Sequence, residues 1–341
     1  MKNKIIVAGN IVVDILYPIT SYPAAGQLTT IEEGVGKSVG GSVCNVGIDL
    51  KKLMPETEIG ALGLIGNDES GKYALDTMAE AGLDVSLVHK GESATSFTYV
   101  MNDKITRERT FFHHRGANAK FSEDSFSWDD IDCDLLHVAY ILLLDELDKE
   151  DPEYGTKMAR LLAHAKERGI KTSIDVVSEA GERFNKIVPP SLKYADYCII
   201  NEIEAGRTTG IEVRNPDGTL IYENMKKVLR AMFDLGVGEW TIIHCPEGGF
   251  GMDKDSNYAQ YGQIKNPKDF VKGKVGAGDA FCAGVLSAAH KGMSLEYALK
   301  LGNAAATASL ASPGATEAMM TIDECMELAD RFGATVLPDV E

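Results

Sequence analysis

Along the chain, short runs of β-branched and aliphatic residues alternate with longer stretches whose apolar positions recur every three or four residues. The short runs, at 5–8, 58–64, 135–138, 171–175, 197–200 and 241–244, read as buried strands. The longer stretches, at 43–52, 70–81, 154–168, 224–235, 280–291 and 295–309, read as amphipathic helices. Strand followed by helix, repeated, predicts an α/β fold whose parallel strands deliver their loops to a common edge.

Two segments break the rhythm. Residues 11–37 and 94–114 alternate in the two-residue period of extended chain. The second carries Ser96-Phe97-Thr98-Tyr99-Val100-Met101, a turn at Asn102-Asp103-Lys104 and a return run at 107–113, the pattern of a hairpin. Lying between core units, both predict a small β lid standing off the main sheet, which would exclude water from a bound substrate. A surface extension with no catalytic part is the other reading. With no repeat, low-complexity tract or long linker, a single domain over 1–341 is expected.

Composition narrows the partners. Of 341 residues, 44% are hydrophobic, enough for a substantial core. Fifty-one acidic against 34 basic residues give a formal charge of −17, which repels nucleic acid and anionic membrane. A phosphorylated nucleotide can still bind where backbone N–H groups and a divalent metal supply positive potential. The six cysteines show no C-x-x-C spacing and read as reduced thiols of a cytoplasmic protein. The apolar run after Met-Lys-Asn-Lys is too short for a signal peptide or a transmembrane span.

The stretch Val275-Gly276-Ala277-Gly278-Asp279-Ala280 is a Gly-rich turn running straight into a helical pattern. Small residues let the backbone approach a ligand, and the first helical turn offers unpaired N–H groups to an anion, such as a phosphoryl group in transfer. Asp279 then reads equally as a base that takes a proton from a substrate hydroxyl or as a helix cap. Three other patterns carry less. Gly36-Lys37-Ser38 lacks the first glycine of a P-loop, since that position is Ile31, and no G-x-G-x-x-G follows the first strand. Neighbours His113 and His114 point to opposite faces of a strand and make a poor metal pair.

Taken together, these motifs resemble the ribokinase-like (PfkB) family of sugar and nucleoside kinases, from residue 5 to about residue 316. Gly9 through Asp14 is similar to the family's opening strand and substrate-binding aspartate, and Gly40-Gly41 with Asn45 to its first signature. Gly63 to Gly71 is similar to the segment that follows, and Gly116-Ala117-Asn118-Ala119 to the turn where the lid returns to the core. Asn201 and Glu204 fit the N-x-x-E motif of a magnesium–phosphate network, with a polar loop after a strand as the plain alternative. Gly276-Ala277-Gly278-Asp279 fits the second signature, an anion hole with a catalytic aspartate. The resemblance implies a three-layer α/β/α core with a mostly parallel sheet and a β lid. It also implies ATP as phosphoryl donor, Mg2+ reached by Glu204 through water, and a homodimer joined through the lid.

The chain departs from that pattern twice. Gly273-Lys274 stand where relatives carry Asp-Thr, an aspartate that helps hold a monovalent cation, so potassium dependence is in question: either the Lys274 ammonium supplies that charge or it points into solvent. In the nucleotide loop, His244-Cys245-Pro246-Glu247-Gly248-Gly249 keeps Gly249, while Pro246 removes an N–H. Asn303 is expected to border the adenine pocket or to lie on an ordinary helix surface. Asp14, Gly40, Gly41 and Asn45 suit hydroxyl-rich ligands without naming one, and Arg115 reads as an exposed lid arginine or a partner for a substrate anion. A sugar kinase is the leading expectation; a nucleoside kinase and a non-catalytic sugar-binding member of the fold are the alternatives.

Overall fold

The computed structural model describes residues 3–106, 108–178, 181 and 183–339. Its centre is a nine-stranded sheet, built in chain order from β1 (Lys4–Gly9), β4 (Glu58–Gly66), β5 (Asp84–Gly91), β8 (Leu135–Ile141), β11 (Lys171–Val176), β12 (Tyr197–Asn201), β13 (Trp240–Cys245), β14 (Gly248–Asp253) and β15 (Tyr258–Gly262). The spatial order is β15-β14-β13-β12-β11-β8-β1-β4-β5. Pairing is parallel from β5 across to β13 and antiparallel for β14 and β15.

Burial on both faces explains the unbroken apolar runs. In β1, Ile5 and Val7 enter one core while Ile6 and Ala8 enter the other. The first core is roofed by α1 (Ser42–Leu53), α2 (Glu69–Glu80), α7 (Ala277–His290), α8 (Leu295–Ser309) and α9 (Ile322–Phe332). The second is roofed by α3 (Lys157–Glu167), α4 (Phe184–Leu192), α5 (Glu202–Thr209) and α6 (Tyr222–Asp234). Three layers result, as expected.

The helix expected over 154–168 begins later, because Gly155–Thr156 (β10) pair with Glu150–Asp151 (β9) and the Thr156 hydroxyl caps the helix at Ala159 N. Strands β5, β14 and β15 and helices α4, α5 and α9 were not anticipated. In α4, Pro189 and Pro190 look like a break yet sit inside the helix.

The two extended segments form a separate four-stranded sheet, ordered β3 (Gly36–Gly40), β2 (Val12–Ile19), β6 (Phe97–Asp103), β7 (Arg109–His114). Strand β3 runs on to Gly40, three residues past the expected boundary. The hairpin of β6 and β7 is present, although Arg107, expected to begin the return run, lies outside the described residues. His113 and His114 do fall on opposite faces: His113 Nδ1 lies 3.1 Å from the Thr98 hydroxyl, and His114 stacks on Phe97 with ring centres 5.0 Å apart. No group of three or more metal-binding side chains forms among the described residues, and no helix there is long and apolar enough to cross a membrane.

Candidate active site

Parallel strands end together, and here Asn10, Tyr140, Asp175, Asn201 and His244 all stand at or just beyond the carboxyl ends of β1, β8, β11, β12 and β13. Over this edge the turn 273–276 leads into α7. Its N-cap is Gly276, at φ 77°, a left-handed conformation that glycine adopts without strain. The position is also crowded, since a Cβ there would lie 2.6 Å from Ala315 Cβ. A glycine cap supplies no side-chain oxygen, so the first-turn N–H groups of Gly278 and Asp279 have no intrahelical partner and remain available to an anion.

Asp279 is therefore not the cap. It sits in the first turn, 8% exposed, with each carboxylate oxygen engaged: Oδ2 accepts from Asn45 Nδ2 at 2.9 Å and Oδ1 from the Tyr140 hydroxyl at 2.5 Å. Burial pushes its pKa up, and the bonds from Tyr140 and Asn45 pull it back. Gly276, Ala277, Gly278 and Asp279 share a cavity of about 220 Å³ with Tyr140, Asp175, Asn201, Glu204, His244 and Lys274.

Asn201 and Glu204 are not a loop. They form a reciprocal capping box at the start of α5: Asn201 Oδ1 accepts from Glu204 N at 2.9 Å, and Glu204 Oε2 accepts from Asn201 N at 3.0 Å. Ser178 closes the network by donating to Glu204 Oε1 at 2.8 Å. Desolvation raises Glu204 to about 7. Asp175 is driven well above the usual carboxylate range by burial, with Glu204 and Asp279 adding to the effect. His244 stays neutral, because burial lowers it to about 4.

A second cavity, about 550 Å³, continues from the first and shares Asn201, His244, Lys274, Ala277 and Gly278 with it. Its walls are mostly apolar, from Ile264, Val271, Phe281, Ala306 and Leu310, with Asn303 and Asn266 as polar points. The Asn266 Oδ1 atom is buried without a partner, an acceptor awaiting a donor such as an exocyclic amine. Asn303 is 8% exposed and donates to Leu299 O at 2.8 Å, so it faces the cavity and not the helix surface. Gly249 lies behind that wall: a Cβ there would be 3.0 Å from both Asn303 Nδ2 and Phe281 Cζ, so it lets the wall close and does not itself line the cavity. Lys274 lines both cavities, is exposed, and makes no ion pair among the described residues.

On the other side of Asp279, Gly40 and Gly41 bring β3 into α1. A Cβ on Gly40 would stand 2.4 Å from Asp14 Oδ2, and one on Gly41, at φ 81°, would stand 2.4 Å from Asn10 O. The close approach sets Asp14, on β2, beside the start of the helix that carries Asn45. Burial raises Asp14 and a bond from Thr98 opposes the shift. Asn45 Oδ1 is buried with no partner. At its far end α1 is tied down as well: Lys52 Nζ donates to Thr316 O at 2.8 Å and Glu317 O at 3.3 Å, in the loop that packs on Gly276 through Ala315. Arg115 is not a free surface group, since its Nη1 donates to Leu142 O at 3.1 Å and to Asp145 Oδ1 at 2.6 Å.

Sequence reasoning did not single out Tyr140, Asp175, Thr98 or Asn266. The signal for Asp175 was present as an acid closing an apolar strand. For Tyr140, nothing local distinguishes an active-site phenol from a core one.

A helix N-terminus open to anions, a carboxylate held beside it and an apolar cleft leading away meet at the carboxyl edge of the α/β sheet. The family model for "pfkB family carbohydrate kinase" matches residues 2–322. The chain belongs to the pfkB family of carbohydrate kinases. It is similar to the 5-dehydro-2-deoxygluconokinase of Lacticaseibacillus casei, 23% identical over 306 residues covering 87% of this chain and 88% of that protein. It is likewise similar to the ribokinase of Haemophilus influenzae, 23% identical over 336 residues covering 97% and 99%. Among solved structures, Arabidopsis thaliana ribokinase complexed with ribose and ATP superposes with a TM-score of 0.79 at 22% identity, covering 96% of this chain and 99% of that one, and so shares the fold.

Proposed function

We propose that this kinase transfers the terminal phosphoryl group of ATP to a hydroxyl of a small sugar or sugar acid, with Asp279 as the general base. The observation that carries the reading is the position of Asp279: in the first turn of α7, beside the open N–H groups, with its carboxylate clamped between Asn45 and Tyr140. The acceptor hydroxyl gives its proton to Asp279 as its oxygen attacks phosphorus, and the backbone of Gly276, Ala277 and Gly278 receives the charge that builds on the phosphoryl oxygens. Asp14, Gly40, Gly41 and Asn45 form the sugar side, where the unpaired Asn45 Oδ1 suits a donating hydroxyl. The four-stranded sheet acts as the lid over it.

The larger cavity suits the nucleotide, with Asn303 on its wall and Gly249 supporting that wall from behind. Asn201 and Glu204 fit a hydrated Mg2+: each side chain already accepts from the other's backbone N–H and both are bonded to the Ser178 hydroxyl, so they would hold the ion through water. When bound, such an ion offsets phosphate charge. Lys274, free at the junction of the two cavities, supplies a fixed positive charge where relatives use a monovalent cation. None of the six cysteines is in a disulfide among the described residues, in keeping with the cytoplasm. Sugar specificity is the finer point: the relatives' names include ribose and a deoxygluconate, and the pocket's hydroxyl-binding groups serve either. A nucleoside acceptor remains the second kinase reading, while the clamped Asp279 weighs against a non-catalytic member.

The test is ADP formation with Mg2+ against ribose, fructose, 2-dehydro-3-deoxygluconate, 5-dehydro-2-deoxygluconate and adenosine, with potassium varied. Turnover of one sugar, lost by about 10²–10⁴-fold in Asp279→Asn with the fold intact, is the expected outcome. Equal rates in Asp279→Asn would remove it as the base. Several-fold activation by potassium would remove the role given to Lys274.

A further inference from the structure

Of the two groups that hold Asp279, Asn45 belongs to the sugar-side signature, whereas the role of Tyr140 is given by no motif. Tyr140 reaches Asp279 from β8, 139 residues away in sequence, and its hydroxyl donates to Oδ1 at 2.5 Å. Asn45 reaches the opposite oxygen from α1. A carboxylate gripped at both oxygens by separate elements cannot turn about its Cβ–Cγ bond without losing a charge-assisted hydrogen bond, yet each oxygen retains a lone pair for a further donor.

We propose that Tyr140 is a positioning residue: it fixes the plane of the Asp279 carboxylate and keeps that base ionised, leaving a lone pair turned to the acceptor hydroxyl. The inference rests on Asp279 being the base.

The surroundings explain why such a donor is needed. Asp279 raises Asp49 and Cys44 on α1, Asp175 on β11 and Cys282 on α7 itself, so these neighbours keep their protons while Asp279 is ionised. Glu204 adds to this from α5 through Asp175. The opposing groups are few: Lys274 is exposed at the mouth, and His244 is neutral. Burial raises Asp279 itself and the bonds from Tyr140 and Asn45 pull it back; a buried carboxylate without them would hold its proton, and a base already protonated accepts nothing. The Tyr140 phenol is itself driven well above its ordinary range by burial and by Asp279, so it remains a donor and does not compete as a second base. A phenylalanine would fill the same space and take away the bond alone.

The experiment labels aspartate carboxyl carbons with 13C, assigns Asp279 by the signal missing in Asp279→Asn, and titrates wild type and Tyr140→Phe by NMR without substrate. The Asp279 midpoint is expected to rise by about one unit in Tyr140→Phe. In parallel, kcat/KM for ATP with the sugar turned over by the wild type should fall up to about tenfold more at a pH below both Asp279 midpoints than at a pH above them. An unmoved midpoint overturns the proposal. A rate loss equal at every pH also overturns it, because that marks packing alone. So does a faster Tyr140→Phe enzyme, which would mean that the phenol blocks the acceptor's place. If Asp279→Asn still turns over, the base assignment fails instead, and the NMR titration then reports only a structural bond.

Discussion

At the scale of single residues, the site is a set of carboxylates kept where water is scarce, and Asp49 is its least supported member. Both its oxygens are buried without a hydrogen-bond partner on α1, one turn from Asn45. Burial raises its pKa well above the ordinary value. A carboxyl whose folded value exceeds its unfolded one adds stability that is complete below the unfolded value, near 4, and is lost as pH rises through the folded value. Asp49→Asn removes that titration while keeping the shape. Its melting temperature should exceed that of the wild type at pH 8 and the gap should shrink at pH 5; a gap independent of pH would show that Asp49 titrates alike in the folded and unfolded chain. Residue identity was also where sequence reading served best. Asp279 and Gly276 were picked out by type and spacing, Asn45 and Asp14 by the family resemblance, and Asn45 is bonded to Asp279 in the fold. Tyr140 and Asp175 were not, because each is delivered by a strand whose neighbour in space is far away in sequence.

At the scale of elements, strands and long helices were readable because burial on two faces or on one leaves a period in the sequence. The sites where reading failed have local causes. The capping box of Asn201 and Glu204 starts a helix only eight residues long, too short to show a period. Strand β5 has half-exposed positions and no clean alternation. The 154–168 stretch has helical periodicity throughout, but β9 and β10 take its first turn. The start of α7 is the element on which most depends, since one glycine both ends the turn and opens the N–H groups. Gly276→Ala would force a left-handed residue against Ala315, at a cost of roughly 1–3 kcal/mol. A lower melting temperature with a larger loss in kcat than in sugar binding is the expected result. Unchanged kinetics would mean that the anion site does not depend on that backbone turn.

At the scale of the whole molecule, the four-stranded sheet leaves apolar surface in water. Phe111 is 62% and Phe112 55% exposed on neighbouring positions of β7, one on each face, and Tyr99 and Ile31 are exposed nearby. We propose that a second copy of the chain covers this sheet, as the sequence resemblance implied. Sedimentation of the wild type should give a dimer, and the Phe111→Ser, Phe112→Ser double variant a monomer of unchanged helicity. A wild-type monomer at micromolar concentration would end that proposal.

The bonds from Lys52 to the 316–317 carbonyls tie the two halves of the reaction into one linkage. Helix α1 holds Asn45 near its start and, near its end, the loop that packs on Gly276 through Ala315. On the proposed assignment of sugar and nucleotide to the two sides, a sugar that draws α1 inward would pull on that loop, and by reciprocity a nucleotide would favour the sugar by the same factor. Severing the tie at Lys52 would leave each ligand its own site and make the two bind as strangers.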